Sequence, residues 1–336
     1  MRTAAHLLSK LFPIPAFICV YLWLLPWSTL AQESEQELVA TLAAGRVVLY
    51  VARDGIVIGA AAGPSAAGVE AGSRPPSVLP LGERRIGILL GAVEWVWPAS
   101  GRAPARLDRE LPRLASEAAP ARQQAGPEQA SDIESIGAAL LERLGPLVSQ
   151  IHHRLDLKPD EPLLELLLVN YLENYGPEVW ELRYRVAQDA LRGNYWRTRA
   201  LRPSYTQLYP PAKGHPHTLI EVRYPPGAPG PALLDLLKQN DPRLARLRSA
   251  DQTMSRATEH LTRGESHKGS ADDAAAFLRA ALPAVFGAEA KLILGVLHEQ
   301  RGLEWVLEPP ERSQTAEEEK PRQPGAPTLR KKPPEH

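Results

Sequence analysis

Residues 163–172 are apolar almost throughout, and this run limits the possible folds more than any other feature of the sequence. Apolar side chains occupy both the odd and the even positions, so a strand formed here would be buried on both faces. A sheet that contains such a strand must be covered by another layer on each side. The sequence therefore predicts a layered structure with at least one interior sheet.

Pairs of β-rich runs with turn residues between them recur along the chain. Runs 46–53 and 56–62 are joined by Asp54-Gly55, which predicts a hairpin with a type I′ turn, because this dipeptide tolerates the positive φ angles that such a turn needs. Further runs of this kind lie at 78–81, 85–97, 163–172, 179–186, 218–224, 291–298 and 303–307. These runs predict three hairpins and single strands between them.

Helical periodicity separates these hairpins. Apolar residues recur at helical spacing over 133–151, and Ser131 with Glu134 fits a capping box at the start of that helix. Two more helices are predicted near 232–239 and 271–284. Strand hairpins separated by helical blocks indicate an α+β layered sandwich, in which antiparallel sheets are covered by helices.

Proline-rich segments divide the rest of the chain. Segments 98–131 and 201–231 lack a sustained periodicity and are interpreted as exposed insertions in a single domain spanning 32–308. The final segment, 309–336, combines many prolines with mixed charge, which predicts a disordered tail.

The first 31 residues have the pattern of a secretory signal peptide. Arg2 and Lys10 precede an apolar run over 11–27, and small residues at the end of the segment predict cleavage before Gln32. The alternative is an uncleaved membrane anchor, although the run is short and contains three prolines. We therefore expect an exported protein, periplasmic or extracellular, whose membrane contact is limited to this targeting segment.

Charge and cysteine content exclude several functions. The chain has 39 basic and 39 acidic residues, and a balanced charge disfavours a dedicated nucleic-acid binder. The one cysteine, Cys19, lies in the targeting segment, so a processed chain would lack a disulfide, a thiolate nucleophile and cysteine metal ligands. No cofactor or metal-binding motif is recognisable in the sequence, and we expect neither a cofactor nor a metal.

The element order resembles that of the proteasome β-subunit-like branch of the N-terminal-nucleophile (Ntn) hydrolases. The resemblance rests on the hairpin 47–62 with its turn at Asp54-Gly55, and on segment 81–93, which is similar to the strands that lead to a glycine in that family. It extends over about residues 40–307 and implies a four-layer αββα sandwich of two antiparallel sheets between helical layers. It also implies an N-terminal threonine as nucleophile, with its own amino group as base and with an acid and a lysine nearby.

The chain departs from the family's catalytic pattern at each of these positions. The nucleophile position falls on Gly45, and Thr41 is a fallback candidate that a second cleavage would have to expose. The acid position falls on 60–63, which holds only Ala and Gly, and no lysine occurs between Lys10 and Lys158. Arg74 is the nearest cation, but a guanidinium with a pKa above ~12 cannot transfer protons as a lysine does.

These departures predict a non-catalytic, degenerate member of the family with a binding or assembly role in the cell envelope, involving a protein partner or self-assembly. One alternative is an active Ntn-type amidohydrolase that uses a processed Thr41. A second alternative is an envelope ligand-binding protein that uses an arginine-rich cluster of aromatic residues over 195–209. Its candidate binding residues are Tyr195, Trp196, Tyr205 and Tyr209.

Overall fold

Fourteen strands and six helices form the part of the chain that the computed structural model describes. This part comprises residues 38–62, 74–98, 100–118, 132–158, 160–172, 176–211, 219–227, 230–250, 252–286 and 291–307. The fold is mixed α+β, and the paired strands of its sheets are antiparallel. The predicted signal segment, the capping residue Ser131 and the predicted disordered tail lie outside the described residues.

The strands form two main sheets and one separate hairpin. The strands are β1 (Val39–Ala43), β2 (Gly45–Val51), β3 (Gly55–Ala62), β4 (Ser77–Gly82), β5 (Arg85–Val96), β6 (Ala105–Arg106), β7 (Leu164–Leu172), β8 (Gly176–Tyr184), β9 (Val186–Ala190), β10 (Trp196–Ala200), β11 (Ser204–Tyr209), β12 (Leu219–Tyr224), β13 (Leu292–His298) and β14 (Gly302–Leu307). Sheet A has the order β1-β5-β7-β8-β11, with β4 and β6 also paired to β5. Sheet B has the order β12-β2-β3-β13-β14, and β9 pairs with β10 alone.

The helices cover the outer faces of the two sheets. They are α1 (Leu107–Ala118), α2 (Asp132–Val148), α3 (Leu233–Lys238), α4 (Pro242–Ala250), α5 (Gln252–Thr262) and α6 (Ala271–Phe286). Apolar side chains of α1 and α2 pack against sheet A, and those of α3 to α6 pack against sheet B. Among the helices within the described residues, none combines the length and the apolarity needed to cross a bilayer.

A third apolar cluster lies between the two sheets, and alternation along each strand explains how it forms. On β2, Val47 and Leu49 face sheet A, whereas Val48 and Tyr50 face the helices of the other side. On β7, the side chains alternate in the same way between the helical layer and the space between the sheets. The prediction that run 163–172 is buried on both faces is therefore confirmed, and the layers follow the order helices, sheet A, sheet B, helices.

The predicted hairpin at 46–62 is confirmed, but the predicted turn type is wrong. Strands β2 and β3 pair with Val51 opposite Ile56, and neither Arg53 nor Asp54 has the positive φ angle of a type I′ turn. Instead, the side chain of Asp54 accepts a hydrogen bond of 2.8 Å from the backbone amide of Ala271, the first residue of α6. Asp54 therefore fixes the start of a helix rather than the shape of the turn.

Two proline-rich segments contain more regular structure than the sequence predicts. Segment 98–131, interpreted as an exposed insertion, contains β6 and α1, and α1 buries Leu107, Leu111 and Leu114 against sheet A. Those leucines do have helical spacing, but Pro112 and the Arg- and Ala-rich surroundings weaken the pattern. Segment 201–231 likewise contains β11 and the predicted β12.

A glycine at the middle of β5 allows two backbones to approach closely. Gly91 has a φ of +91°, and a side chain here would collide with the carbonyl oxygen of Leu163 and lie 3.0 Å from the ring of Tyr224. The next residue, Ala92, donates a backbone hydrogen bond of 3.0 Å to the same carbonyl. Glycine is required here because it is the residue that adopts this conformation without strain and leaves room for the contact.

Substitution Gly91→Ala should lower the free energy of unfolding by at least about 2 kcal/mol, because the methyl group adds both a strained φ angle and a steric collision. Chemical denaturation monitored by circular dichroism measures the effect. Gly82→Ala is the matched control, since Gly82 has no heavy atom within 4 Å of the added carbon. Equal stability of the two variants would contradict this account of β5.

Candidate functional site

The family resemblance assigns the nucleophile to Gly45, which lies within the continuous chain of the fold and not at a free N-terminus. Gly45 is the first residue of β2, and it pairs with Ala62 of β3 and Tyr224 of β12. Its nitrogen is joined to Ala44, which connects β1 directly to β2. An N-terminal nucleophile needs a free amine and a reactive side chain on one residue, and Gly45 in the continuous chain has neither.

Thr41 lies in the other sheet. It is the central residue of β1, it is half-buried, and its Cα partner on β5 is Glu94. The register between β1 and β5 shifts after Thr41, because Leu42 pairs with Ala92 and leaves Val93 as an extra residue of β5. The residues before Thr41 also belong to the fold, because Leu38 is buried in the cluster between sheet A and its helices, and Ala40 pairs with Trp95.

Arg74 stabilises the junction between β1 and β2 through two backbone hydrogen bonds and an ion pair. Its backbone amide donates to Leu42, at 3.0 Å, and its carbonyl accepts from Ala44, at 2.9 Å. Its guanidinium forms an ion pair of 2.7 Å with Glu94. Thr41 therefore has a carboxylate and a cation nearby, but that cation is an arginine in an ion pair and not the lysine of the family's pattern.

The family's acid position is apolar in the described residues. Ala60, Ala61 and Ala62 occupy the end of β3, while Gly63 lies outside the described residues. Among the described residues, Gly45, Ala60 to Ala62 and Arg74 thus stand where the family's pattern has a threonine, an acid and a lysine.

A cluster of charged side chains that sequence reasoning missed lies near this end of the sandwich. Glu165 of β7 is 1% exposed and points into the space between the sheets, as Leu167 does on the same strand. Its Oε1 lies 3.2 Å from Nε of Arg183, which also forms an ion pair of 3.0 Å with the buried Glu181. The only sequence signal for this cluster is the single acidic residue inside the apolar run 163–172.

Burial raises the proton affinity of the Glu165 carboxylate. Desolvation, reinforced by the negative charge of Glu181 and opposed by Arg183, raises the pKa of Glu165 to about 7. Its Oε2 has no hydrogen-bond partner among the described residues. A carboxyl group with this pKa could act as a general acid or base, but its burial leaves no access for a substrate. We therefore treat the cluster as a structural feature that makes stability depend on pH.

The four aromatic candidates do not form one surface. Tyr195 lies in the turn between β9 and β10 and is exposed. Trp196 is the first residue of β10 and is half-buried. Tyr205 of β11 lies beside Gly137 of α2, on the helical face of sheet A. Tyr209 packs against the cluster between the two sheets, on the opposite face. Only the pair Tyr195 and Trp196 is brought together.

That pair belongs to the β9–β10 hairpin, which is fixed to the loop after α2. Three hydrogen bonds of 3.0 to 3.1 Å make this attachment: Thr198 Oγ1 donates to the carbonyl of Ile151, the Trp196 amide to that of His152, and Gln188 Nε2 to that of His153. Arg154 of the same loop lies over the Trp196 ring, 5.7 Å from its centre. The β9–β10 hairpin is therefore separate from the two main sheets and is held in place by the loop after α2.

A groove of about 600 Å³ lies on the helical side of sheet B. Its walls are mainly small apolar side chains of α6, β13 and β14, and its polar lining residues are Asp272, Arg279, His298 and Glu304. His298 is buried and its Nε2 lies 3.3 Å from a carboxylate oxygen of Glu304, which also pairs with Arg301 at 3.2 Å. Arg301 and Glu304 therefore pair beside His298 at one wall of the groove. Within the described residues, no group of three or more His, Cys, Asp and Glu side chains could hold a metal ion.

Comparisons of the sequence with known protein families and curated proteins do not assign the chain to a family. No model of a known protein family matches the chain, and no curated protein sequence matches it.

Glu165→Gln should stabilise the protein at neutral and alkaline pH. Because the pKa of Glu165 is raised from 4.5 to about 7 on folding, wild-type protein loses stability as the pH rises through this interval, whereas the neutral glutamine does not. The difference in the free energy of unfolding between variant and wild type should grow by about 3 kcal/mol between about pH 4 and pH 8.

Denaturant unfolding at a series of pH values measures this difference. Glu142→Gln, a change of the same chemistry at an exposed position of α2, is the control and should show no comparable pH-dependent gain. A pH-independent effect of Glu165→Gln would show that the carboxyl group is not protonated on folding.

Proposed function

We propose that the chain is an exported, non-catalytic member of the proteasome β-subunit-like Ntn hydrolase superfamily, with a binding or assembly role in the cell envelope. The layer order helices, sheet A, sheet B, helices supports the αββα sandwich of that superfamily. The β2–β3 hairpin, on which the resemblance in sequence rests, lies within sheet B between β12 and β13 and is a second point in support.

The observation that carries the proposal is the continuity of β1 and β2 through Gly45. The chain that would have to be absent for an N-terminal nucleophile is instead a strand of sheet A, hydrogen-bonded to β5 and tied by Arg74. The pattern of residues 1–31 supports export, because a basic start, an apolar run and small terminal residues are typical of signal peptides. A protein with this fold and without the nucleophile acts through its surfaces.

The competing function, an amidohydrolase with Thr41 at its N-terminus, requires a cut after Ala40. That cut would remove Leu38 from the apolar cluster beneath α1 and α2 and would delete the pairing of Val39 and Ala40 with β5. Losing a buried leucine alone costs about 2 kcal/mol or more. The exposed amine would then lie beside Arg74 and Glu94, without the lysine of the family.

A peptide epoxyketone, which forms a ring with the amine and hydroxyl of an N-terminal threonine, should leave the purified exported protein unmodified. Intact-mass spectrometry measures both the adduct and the start of the chain. We expect no adduct and a chain that retains residues 38–40.

An active proteasome β-subunit treated in parallel provides the positive control, and Thr41→Ala provides the matched variant. An adduct on wild-type protein that is absent from Thr41→Ala, on a chain beginning at Thr41, would refute the non-catalytic proposal and favour the hydrolase.

A further inference from the structure

The β9–β10 hairpin and its flanks concentrate positive charge in a chain whose total charge is zero. Residues 185–202 contain five arginines and one acidic residue, Asp189. Ion pairs join Arg199 to Asp189 at 4.0 Å and Arg185 to Asp160 at 3.5 Å. The remaining arginines of this segment are Arg192, Arg197 and Arg202, and all three are exposed. The exposed Arg154, on the supporting loop, adds another positive charge beside Trp196.

Two large apolar side chains are presented at the tip of this basic projection. Leu191 is 58% exposed and Tyr195 is 55% exposed. The Leu191 amide donates a hydrogen bond of 2.9 Å to the Tyr195 carbonyl, and Gly193, with a φ of +69°, turns the chain between them. The tip therefore holds a leucine and a tyrosine side by side, with Arg192 between them in sequence.

The hairpin lies at the end of the fold where the described chain begins. Val39, which is 49% exposed, pairs with Val96 at the end of β5. The next residue, Trp97, donates a hydrogen bond of 2.9 Å to the side chain of Gln150, which directly precedes the loop that supports the hairpin. Until the predicted cleavage before Gln32, the apolar run 11–27 of the targeting segment is joined to this end by residues 28–37, which can span at most roughly 35 Å.

We propose that the β9–β10 hairpin docks on the surface of an anionic phospholipid bilayer, which differs from the expectation that membrane contact is limited to the targeting segment. Leu191 and Tyr195 enter the boundary between headgroups and acyl chains, where a tyrosine keeps its hydroxyl in the polar layer. Arg192, Arg197 and Arg154 lie at the level of the lipid phosphates, with their aliphatic stems along the apolar region. This inference does not depend on whether the chain is a hydrolase, so its test and the epoxyketone test can fail separately.

The shape of the projection favours a lipid surface over a protein or nucleic-acid partner. A stable protein interface needs roughly 800 Å² of complementary surface on each side, and a five-residue tip supplies little of it. Single-stranded nucleic acid would need several aromatic rings on one exposed track, whereas Tyr205 and Tyr209 lie on opposite faces of sheet A. A bilayer requires no complementary shape, and it accepts an apolar tip surrounded by cations.

Flotation of the full chain with phospholipid vesicles tests the proposal. We expect wild-type protein to bind vesicles that contain phosphatidylglycerol and to bind pure phosphatidylcholine vesicles at least tenfold more weakly. Replacing both Arg192 and Arg197 by glutamine should lower binding to anionic vesicles roughly 25-fold, or about fivefold for each charge. Leu191→Ser should lower it about tenfold. All variants should retain the wild-type circular dichroism spectrum.

The matched control removes the same charge from the opposite helical layer. Arg256→Gln on α5, together with Arg263→Gln directly after that helix, should leave vesicle binding within about twofold of wild type. A second control addresses the targeting segment, which could itself hold the chain on a bilayer. An environment-sensitive fluorophore on Asn194→Cys, in a Cys19→Ser background, reports the hairpin tip, and the same label on Glu299→Cys reports the β13–β14 turn at the opposite end of the sandwich.

The label at position 194 should shift to shorter wavelength on addition of anionic vesicles, while the label at position 299 should not. Equal shifts at the two positions, or no shift at either, would overturn the proposal. So would vesicle binding that the hairpin variants leave unchanged. Stronger binding of the hairpin to a polyglutamate peptide or to a single-stranded oligonucleotide than to anionic vesicles would assign the surface to a different partner and would also overturn it.

Discussion

The apolar layer between the two sheets is the interaction on which the rest of the structure depends. Each main sheet contains strands whose side chains alternate between this layer and a helical layer, so neither sheet can form without being covered on both faces. Alternation along β2 and β7 fixes the register of both sheets, since a slip of one residue would exchange their two apolar faces. The helices then follow as covers for the outer faces.

Because the apolar layers hold the sheets together, the stability of the fold does not require a catalytic group at the edge of the sheets. Gly45 and the alanines at the end of β3 contribute backbone pairing to sheet B, and that pairing needs no nucleophile. The ion pair of Arg74 with Glu94 joins the segment beside the β1–β2 junction to β5. The proposal of a non-catalytic protein is compatible with this packing, because the sandwich needs no catalytic group to form.

The elements that the sequence predicted are those with strong apolar periodicity, and the missed ones owe their structure to tertiary contacts. The hairpins β2–β3, β7–β8 and β13–β14 and the helices α2, α3 and α6 are predicted correctly. The strand β1 spans only five residues, too few for a clear pattern, and the helices α4 and α5 carry few apolar positions. The pairing of Glu165 with Arg183 follows from strand register, and the separation of Tyr205 from Tyr209 follows from a bulge in β11. Neither can be read from the sequence.

The most direct test of the central claim is hydrogen exchange, measured by mass spectrometry, over peptides that cover residues 38–62. If β1 runs into β2 as part of one folded unit, peptides that cover β1 and β2 should be protected in the native protein together with those of β3. Exchange of residues 38–44 at the rate of an unfolded chain, beside a protected β2–β3 hairpin, would show that the segment before Gly45 is not part of the fold and would contradict the account.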